Sequence, residues 1–233
     1  MFDSKLPISF YNKIASLNDE HNISIVQHRD TNKIYLCKEM SVYNLDVYET
    51  LFRNPVKNLP RIYAMYEEHN ILTVIEEYIS GDTLQEIFDI CGPFSMADVI
   101  SYTISLCDTL SVLHSMTPAI VHRDIKPSNV ILTEDGRIIL IDLNAAKFTN
   151  EFKDRDTRLI GTKGFAAPEQ FGFGSSTPQT DIYALGVLMK TLLSDSVTNK
   201  KLSVIINKCL ELNPDDRFKS VIQLKTRLSK IKL

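Results

Sequence analysis

The densest chemistry in the chain lies in IVHRDIKPSNVIL, residues 120–132. Asp124 is a carboxylate that could orient a hydroxyl and accept its proton. Lys126, two residues on, could neutralise charge on a phosphoryl group in transfer. Asn129 offers an amide oxygen, a hard ligand suited to Mg²⁺. A second carboxylate, Asp142, stands at the end of an apolar strand, in Ile-Asp-Leu. That place is poor for a core and good for a metal at a cleft. Two such oxygens suit Mg²⁺, which takes few protein ligands and keeps waters.

These groups need elements to hold them. NVILTEDGRIILID, residues 129–142, reads as a hairpin turning at Asp135-Gly136, with Asn129 and Asp142 at its two ends. Upstream, residues 1–78 read as strands with one helix. Ile23 and Ile25, then Ile34, Tyr35 and Leu36, flank the polar turn HRDTNK. Residues 42–53 put Val42, Leu45, Tyr48, Leu51 and Phe52 on one helical face. Residues 61–67 and 71–78 read as a strand pair broken at Glu68-His69-Asn70. From Gly81 the pattern turns helical. Asp82 with Gln85, and Ser95 with Asp98, read as capping boxes. Val99, Tyr102, Leu106, Leu110 and Leu113 mark the helix after Ser95. Residues 145–180 read as a long loop, and helices return over 181–193, 201–212 and 218–231. The expected fold is α+β, a β-rich lobe over 1–78 and a helical lobe over 79–233 of one domain, with the junction near Glu77 to Gly81 forming the back of a cleft.

Composition narrows the function classes. The chain has 233 residues, 44% of them hydrophobic, enough for a buried core. A net charge of −3 gives no basic footprint for nucleic acid or an acidic membrane, so neither is an expected partner. Cys37, Cys91, Cys107 and Cys209 form no CxxC pair, which speaks against a zinc site or a disulfide framework and for reduced thiols in the cytoplasm. MFDSKLPISF does not read as a signal peptide, and no apolar run is expected to span a bilayer.

His122-Arg123-Asp124 through Asn129, HRD-x-K-P-x-N, resembles the catalytic loop of the protein kinases. The Lys126-Pro127 form is similar to the serine/threonine branch, and GTKGFAAPEQ, residues 161–170, resembles bacterial members. The resemblance runs from about Tyr11 to Leu228. It implies a two-lobed kinase fold, ATP with Mg²⁺ or Mn²⁺, and a protein substrate presenting Ser or Thr. It also implies roles. Asp124 aims the hydroxyl and Lys126 offsets charge. Asn129 and Asp142 hold metal. Lys38, ending IYLCK, holds the α- and β-phosphates. Its ion-pair partner on the short helix is Glu49, with Asp46 the alternative. Leu17, Ile25 and Leu36 sandwich the adenine, the backbones of Glu77 and Ile79 bond it, and Glu76 is the gatekeeper. Asp181 anchors the catalytic-loop backbone, and Glu169 pairs with Arg217.

The chain also departs from that family. The Gly-rich loop is absent: LNDEHNISI stands in its register, with Asn18, Glu20 and Ile23 at the glycine positions. Without glycine, the backbone approaches phosphates less closely, and Glu20 adds a negative charge. This motivates an alternative reading, a pseudokinase that binds nucleotide or scaffolds. A small-molecule phosphotransferase of related fold is a further alternative. The metal motif reads Asp142-Leu143-Asn144, where Leu fills an apolar slot and Asn tolerates left-handed backbone angles. Thr157, in the polar run FKDRDTRLIGT, is the expected phosphosite, pairing with Arg123 and Lys147. Thr162, a second phosphosite candidate, resembles the threonine packed against Asp124 and Lys126 in serine/threonine kinases.

Overall fold

Apolar residues two apart between Ile23 and Leu36 form a hairpin, β2 (Ile23–His28) and β3 (Ile34–Met40). Its turn is closed by the His28 N–H donating to Lys33 O at 2.9 Å, with Asn32 in the left-handed region at φ 57. The computed structural model describes residues 6–19, 22–149, 162, 164–171, 175–194 and 199–232. The chain divides into two compact units, Met1–Ser80 and Gly81–Leu233.

In the first unit a short helix, α1 (Leu6–Ser9), leads into β1 (Tyr11–Asn18). After β3 come α2 (Leu45–Arg53), β4 (Ile62–Glu68) and β5 (Ile71–Glu77). The five strands form one antiparallel sheet in the order β1-β2-β3-β5-β4. Register sorts its two faces, because side chains alternate along a strand. Cys37 stands opposite Ile75, and with Val26 and Ala64 they form a buried cluster on one face. On the other face Ile25 stands opposite Leu36, Leu36 opposite Glu76, and Lys38 opposite Val74. The α2 helix begins at Asn44, whose side chain accepts from the Val47 N–H, and it buries Val47, Tyr48 and Leu51.

The second unit opens with β6 (Gly81–Thr83), α3 (Leu84–Cys91) and α4 (Met96–Ser115). Then come β7 (Ile120–Val121), β8 (Val130–Thr133), β9 (Ile138–Leu140) and β10 (Lys147–Phe148). Helices α5 (Pro178–Leu193), α6 (Lys200–Cys209) and α7 (Val221–Leu228) complete it. The hairpin read from residues 129–142 is β8–β9, and β6 adds to its edge. That third strand moves the expected cap. Asp82 is drawn into pairing with Leu132, so Thr83 and Glu86 form the capping box rather than Asp82 and Gln85. Gly81 is required there: at φ 151, a Cβ would lie 2.4 Å from Leu132 O. Ser95 caps α4 as read, accepting from the Asp98 N–H at 3.1 Å. Contrary to expectation, α4 is long and apolar enough to cross a membrane by length and composition. Its buried residues Val99, Leu106, Leu110 and Leu113 belong to the core of this unit, where α4 packs on α7 and α5. Helix α5 starts three residues earlier than the periodicity implies. Pro178 holds the first position, and Thr180 Oγ1 accepts from the Thr177 N–H at 3.0 Å.

Candidate active site

The catalytic-loop residues are positioned by a buried carboxylate from α5. Asp181 is fully buried and accepts three hydrogen bonds. The His122 N–H reaches Oδ2 at 3.0 Å and the Arg123 N–H reaches Oδ1 at 2.9 Å. His114 Nε2, from α4, lies 2.8 Å from Oδ2. Burial alone would raise the Asp181 pKa, but His114, His122 and the Arg123 N–H outweigh it and hold the pKa below the usual value. Burial holds the His122 imidazole below its usual pKa, against the pull of Asp181, Asp142 and Asp124. Arg123 adopts φ 71, a costly backbone for a side-chain-bearing residue. Its Nη1 donates to Ala145 O at 3.2 Å. Its carbonyl accepts from Gln170 Nε2 at 2.9 Å, while Gln170 Oε1 accepts from the Ala167 N–H at 2.9 Å. So the loop is held on several sides by groups far away in sequence.

Asp124 then presents its carboxylate to three partners. Lys126 Nζ lies 2.8 Å from Oδ2, and Asn129 Nδ2 donates to the same oxygen at 2.9 Å. The Thr162 hydroxyl donates to Oδ1 at 2.9 Å and accepts from Lys126 Nζ at 2.7 Å. Burial works against ionisation of Asp124. Lys126, Thr162 and His122 overcome it, and the pKa falls below the usual carboxylate value. The result is a triangle in which carboxylate and ammonium hold one hydroxyl between them. Thr162, read as a phosphosite candidate, has that hydroxyl engaged.

Asn129 is buried, in a tight 3-10 turn, Pro127–Asn129. With its amide nitrogen turned to Asp124, the amide oxygen is the atom left to offer a cation. The Ile141 N–H donates to Asn129 O at 2.9 Å, which ties the residue before Asp142 to Asn129. Asp142 is half-buried at φ 67, and its Oδ1 accepts from the Asn144 N–H at 3.2 Å. The left-handed residue of this motif is Asp142, whereas the sequence pointed to Asn144. Leu143 is buried, as expected of a slot-filling side chain. An amide oxygen and a carboxylate form a hard-oxygen donor set. Among the described residues no group of three or more His, Cys, Asp or Glu could hold a metal by itself. A hard-oxygen pair of this kind fits a divalent cation in general.

In the first unit Lys38 is buried, and its Nζ lies 2.6 Å from Glu76 Oε1. This corrects the expectation of a pair with Glu49. Glu49 Oε2 instead accepts from Arg53 Nη2 at 3.1 Å, one turn along α2. The reason is rotational. At about 100° per residue, Glu49 points roughly 150° away from the centre of the face made by Val47, Tyr48 and Leu51. Asp46 is exposed on the same outer side. Ile25 and Leu36 share the sheet face of Lys38, whereas Leu17 falls at a register shift of β1 and is exposed. The Glu77 N–H donates to Arg61 O at 2.8 Å and Ile79 is half-buried. The turn replacing the Gly-rich loop uses Asn22 at φ 50, although the glycine positions were assigned to Asn18, Glu20 and Ile23. Glu20 and Thr157 lie outside the described residues.

The Glu169–Arg217 pair forms with Nη1 to Oε1 at 2.7 Å. Four contributors had no role in the sequence reading: His114, Gln170, Thr180 and the charge of Glu76. Gln170 was visible only as the residue after Ala-Pro-Glu, and His114 stands 67 residues from its partner. A groove of about 610 Å³ on α6 and α7, walled by Lys200, Val204, Lys208, Phe218 and Arg227, contains none of these groups.

Residues 22–203 match the protein kinase domain family. Serine/threonine-protein kinase D of Synechocystis sp. is 34% identical over 190 residues, covering 70% of this chain and 36% of that protein. Serine/threonine-protein kinase PknA of Nostoc sp. is 28% identical over 203 residues, covering 82% of this chain and 33% of that protein. Human serine/threonine-protein kinase PAK 4 is 26% identical over 178 residues, covering 72% of this chain and 29% of that protein. The chain thus spans about a third of the length of these relatives. With its β-sheet unit, its helical unit and its match across residues 22–203, the chain belongs to the protein kinase domain family and is of the bacterial serine/threonine type.

Proposed function

We propose that this domain transfers the γ-phosphoryl group of ATP to serine or threonine hydroxyls of a protein substrate, its own chain included. The observation that carries this reading is the hydroxyl of Thr162 seated between Asp124 Oδ1 and Lys126 Nζ, at 2.9 and 2.7 Å. The same two groups would orient an acceptor hydroxyl. Asp124, held ionised, takes the proton as the oxygen bonds to the γ-phosphorus. The bond from that phosphorus to the β–γ bridging oxygen breaks, and ADP departs. Lys126 offsets the charge spread over the moving group. Lys38 would hold the α- and β-phosphates. Asn129 and Asp142 would hold Mg²⁺ or Mn²⁺, which when bound neutralises phosphate charge. A cytoplasmic setting belongs to the same proposal, and the free cysteines support it.

The test is transfer of labelled γ-phosphate from ATP, with Mg²⁺ or Mn²⁺, to the protein itself and to a basic protein substrate. Asp124→Asn and Asp142→Asn run alongside. Transfer by the wild type, lost in both variants, is the expected result. A folded wild type that binds ATP without transfer would instead make the domain a nucleotide-binding module.

A further inference from the structure

We propose that Glu76 is the positioning residue of Lys38, taking the part of counter-ion that a carboxylate on α2 would otherwise play. This rests on the reading of Lys38 as the residue that holds nucleotide phosphates.

Four observations lead to it. First, the pair is close and dry: Nζ to Oε1 is 2.6 Å, and the two side chains are 7% and 6% exposed. An ammonium so removed from water keeps its charge only beside an opposite charge. Second, the geometry comes from strand register. Lys38 stands opposite Val74, and Glu76 is two residues along β5 from Val74. The two side chains are therefore diagonal neighbours on one sheet face, within reach of long side chains. Third, that face also carries Ile25 and Leu36, the residues read as adenine walls, so Glu76 adds a carboxylate beside the nucleotide lysine. Fourth, the helix provides no substitute. The Glu49 side chain is 29% exposed and paired with Arg53, and Asp46 is exposed.

The consequence is mechanical. Sheet hydrogen bonds place Glu76, so this contact to Lys38 is set by the β3–β5 register rather than by α2. Glu76 itself touches no phosphate in this scheme. It gives the ammonium a fixed counter-charge that aims it, and its loss acts through Lys38.

ATP affinity is measured by titration with a fluorescent ATP analogue, independently of turnover, and KM and kcat are measured beside it. The proteins are wild type, Lys38→Met, Glu76→Gln, Glu76→Asp and Glu49→Gln. Expected is a loss of nucleotide affinity of tenfold or more in Lys38→Met and Glu76→Gln, a smaller loss in Glu76→Asp, and a change under twofold in Glu49→Gln. For Glu76→Gln the rise in KM for ATP exceeds the fall in kcat. Affinity lost in Lys38→Met but kept in Glu76→Gln overturns the positioning role and leaves the reading of Lys38 standing. Affinity kept in Lys38→Met overturns both. Because removal of one buried charge can unfold the domain, urea midpoints are compared in a cycle that includes Lys38→Met/Glu76→Gln. The double variant is expected to recover part of the midpoint lost in each single variant. Strictly additive losses overturn the pairing.

Discussion

Arg217 grips Glu169 with two parallel hydrogen bonds, Nη1 to Oε1 at 2.7 Å and Nη2 to Oε2 at 2.8 Å. The guanidinium also donates to the carbonyls of Glu211, Leu212 and Gln179, and Thr180 Oγ1 donates to Glu169 Oε1. Both residues are buried. Replacing one partner strands a charge away from water. Arg217→Met is expected to destabilise the domain by about 3–5 kcal/mol in urea unfolding. Arg217→Lys recovers only part of this, because an ammonium cannot make the forked contact. A loss below about 1 kcal/mol in Arg217→Met would contradict this account of the pair.

The Asp124–Lys126–Thr162 triangle predicts a rate effect. Asp124→Asn removes the proton acceptor, and kcat is expected to fall by about 10²–10⁴. Lys126→Met removes one preorganised cation, with an expected fall in kcat of about 10². Steady-state kinetics with varied ATP checks both. A Lys126 variant changed only in KM for ATP would place that lysine on substrate binding instead.

The same triangle predicts a pH effect. Lys126, Thr162 and His122 keep the Asp124 carboxylate ionised below its usual range, against burial. A base with a depressed pKa is active above that value and is lost as pH falls through it. Removing a partner that favours ionisation lets burial raise the pKa. The acid limb of kcat/KM against pH is therefore expected to lie higher in Thr162→Val than in wild type. A profile from about pH 3 to 8 with coincident acid limbs would count against the role of Thr162 (the range brackets the usual Asp value, about 3.9).

Asp181 predicts acid sensitivity of the fold. Its pKa in the folded state is depressed despite burial. Its stabilisation is thus fully present above the unfolded value and declines as pH falls through the folded one. Asp181→Asn is expected to cost about 3 kcal/mol at pH 7, since hydrogen bonds to charged groups are each worth about 1.5–3 kcal/mol. The gap from wild type narrows once pH drops below about 3.9, the usual carboxylate value. Urea unfolding at pH 7 and pH 3.5 measures it.

Gly186 predicts a packing effect between α5 and α6. A Cβ built there would lie 2.6 Å from the Cys209 Cβ and 3.1 Å from Leu210 Cδ2. Gly186→Ala raises helix propensity yet is expected to destabilise by about 1–3 kcal/mol through overpacking. In a cycle with Cys209→Gly the two changes should be coupled, the double variant losing less than the sum of the single ones. The readout is again the unfolding midpoint.

The sequence alone determined what is local. Asp124, Lys126 and Asn129 lie within six residues, so their closeness is local, although distant groups hold the loop in its shape. The β8–β9 hairpin and the Ser95 cap likewise depend on neighbours a few positions away. Family resemblance added two distant links, Asp181 to the loop backbone and Glu169 to Arg217. The tertiary structure decided the rest. Asp82 was displaced from its cap because β8 offered it a strand partner, a contact no local pattern contains. Gln170 and His114 became supports of the catalytic loop only where the packing of distant elements left backbone and carboxylate groups to satisfy. Lys38 turned from Glu49 to Glu76 for a related reason. The apolar stripe of α2 must face inward, which sends Glu49 outward, and the β3–β5 register then sets a carboxylate two residues from the lysine's strand partner. A residue's type and spacing are written in the chain, but which buried charge meets which counter-charge is settled by register and rotation. Those follow from burying the whole apolar surface at once.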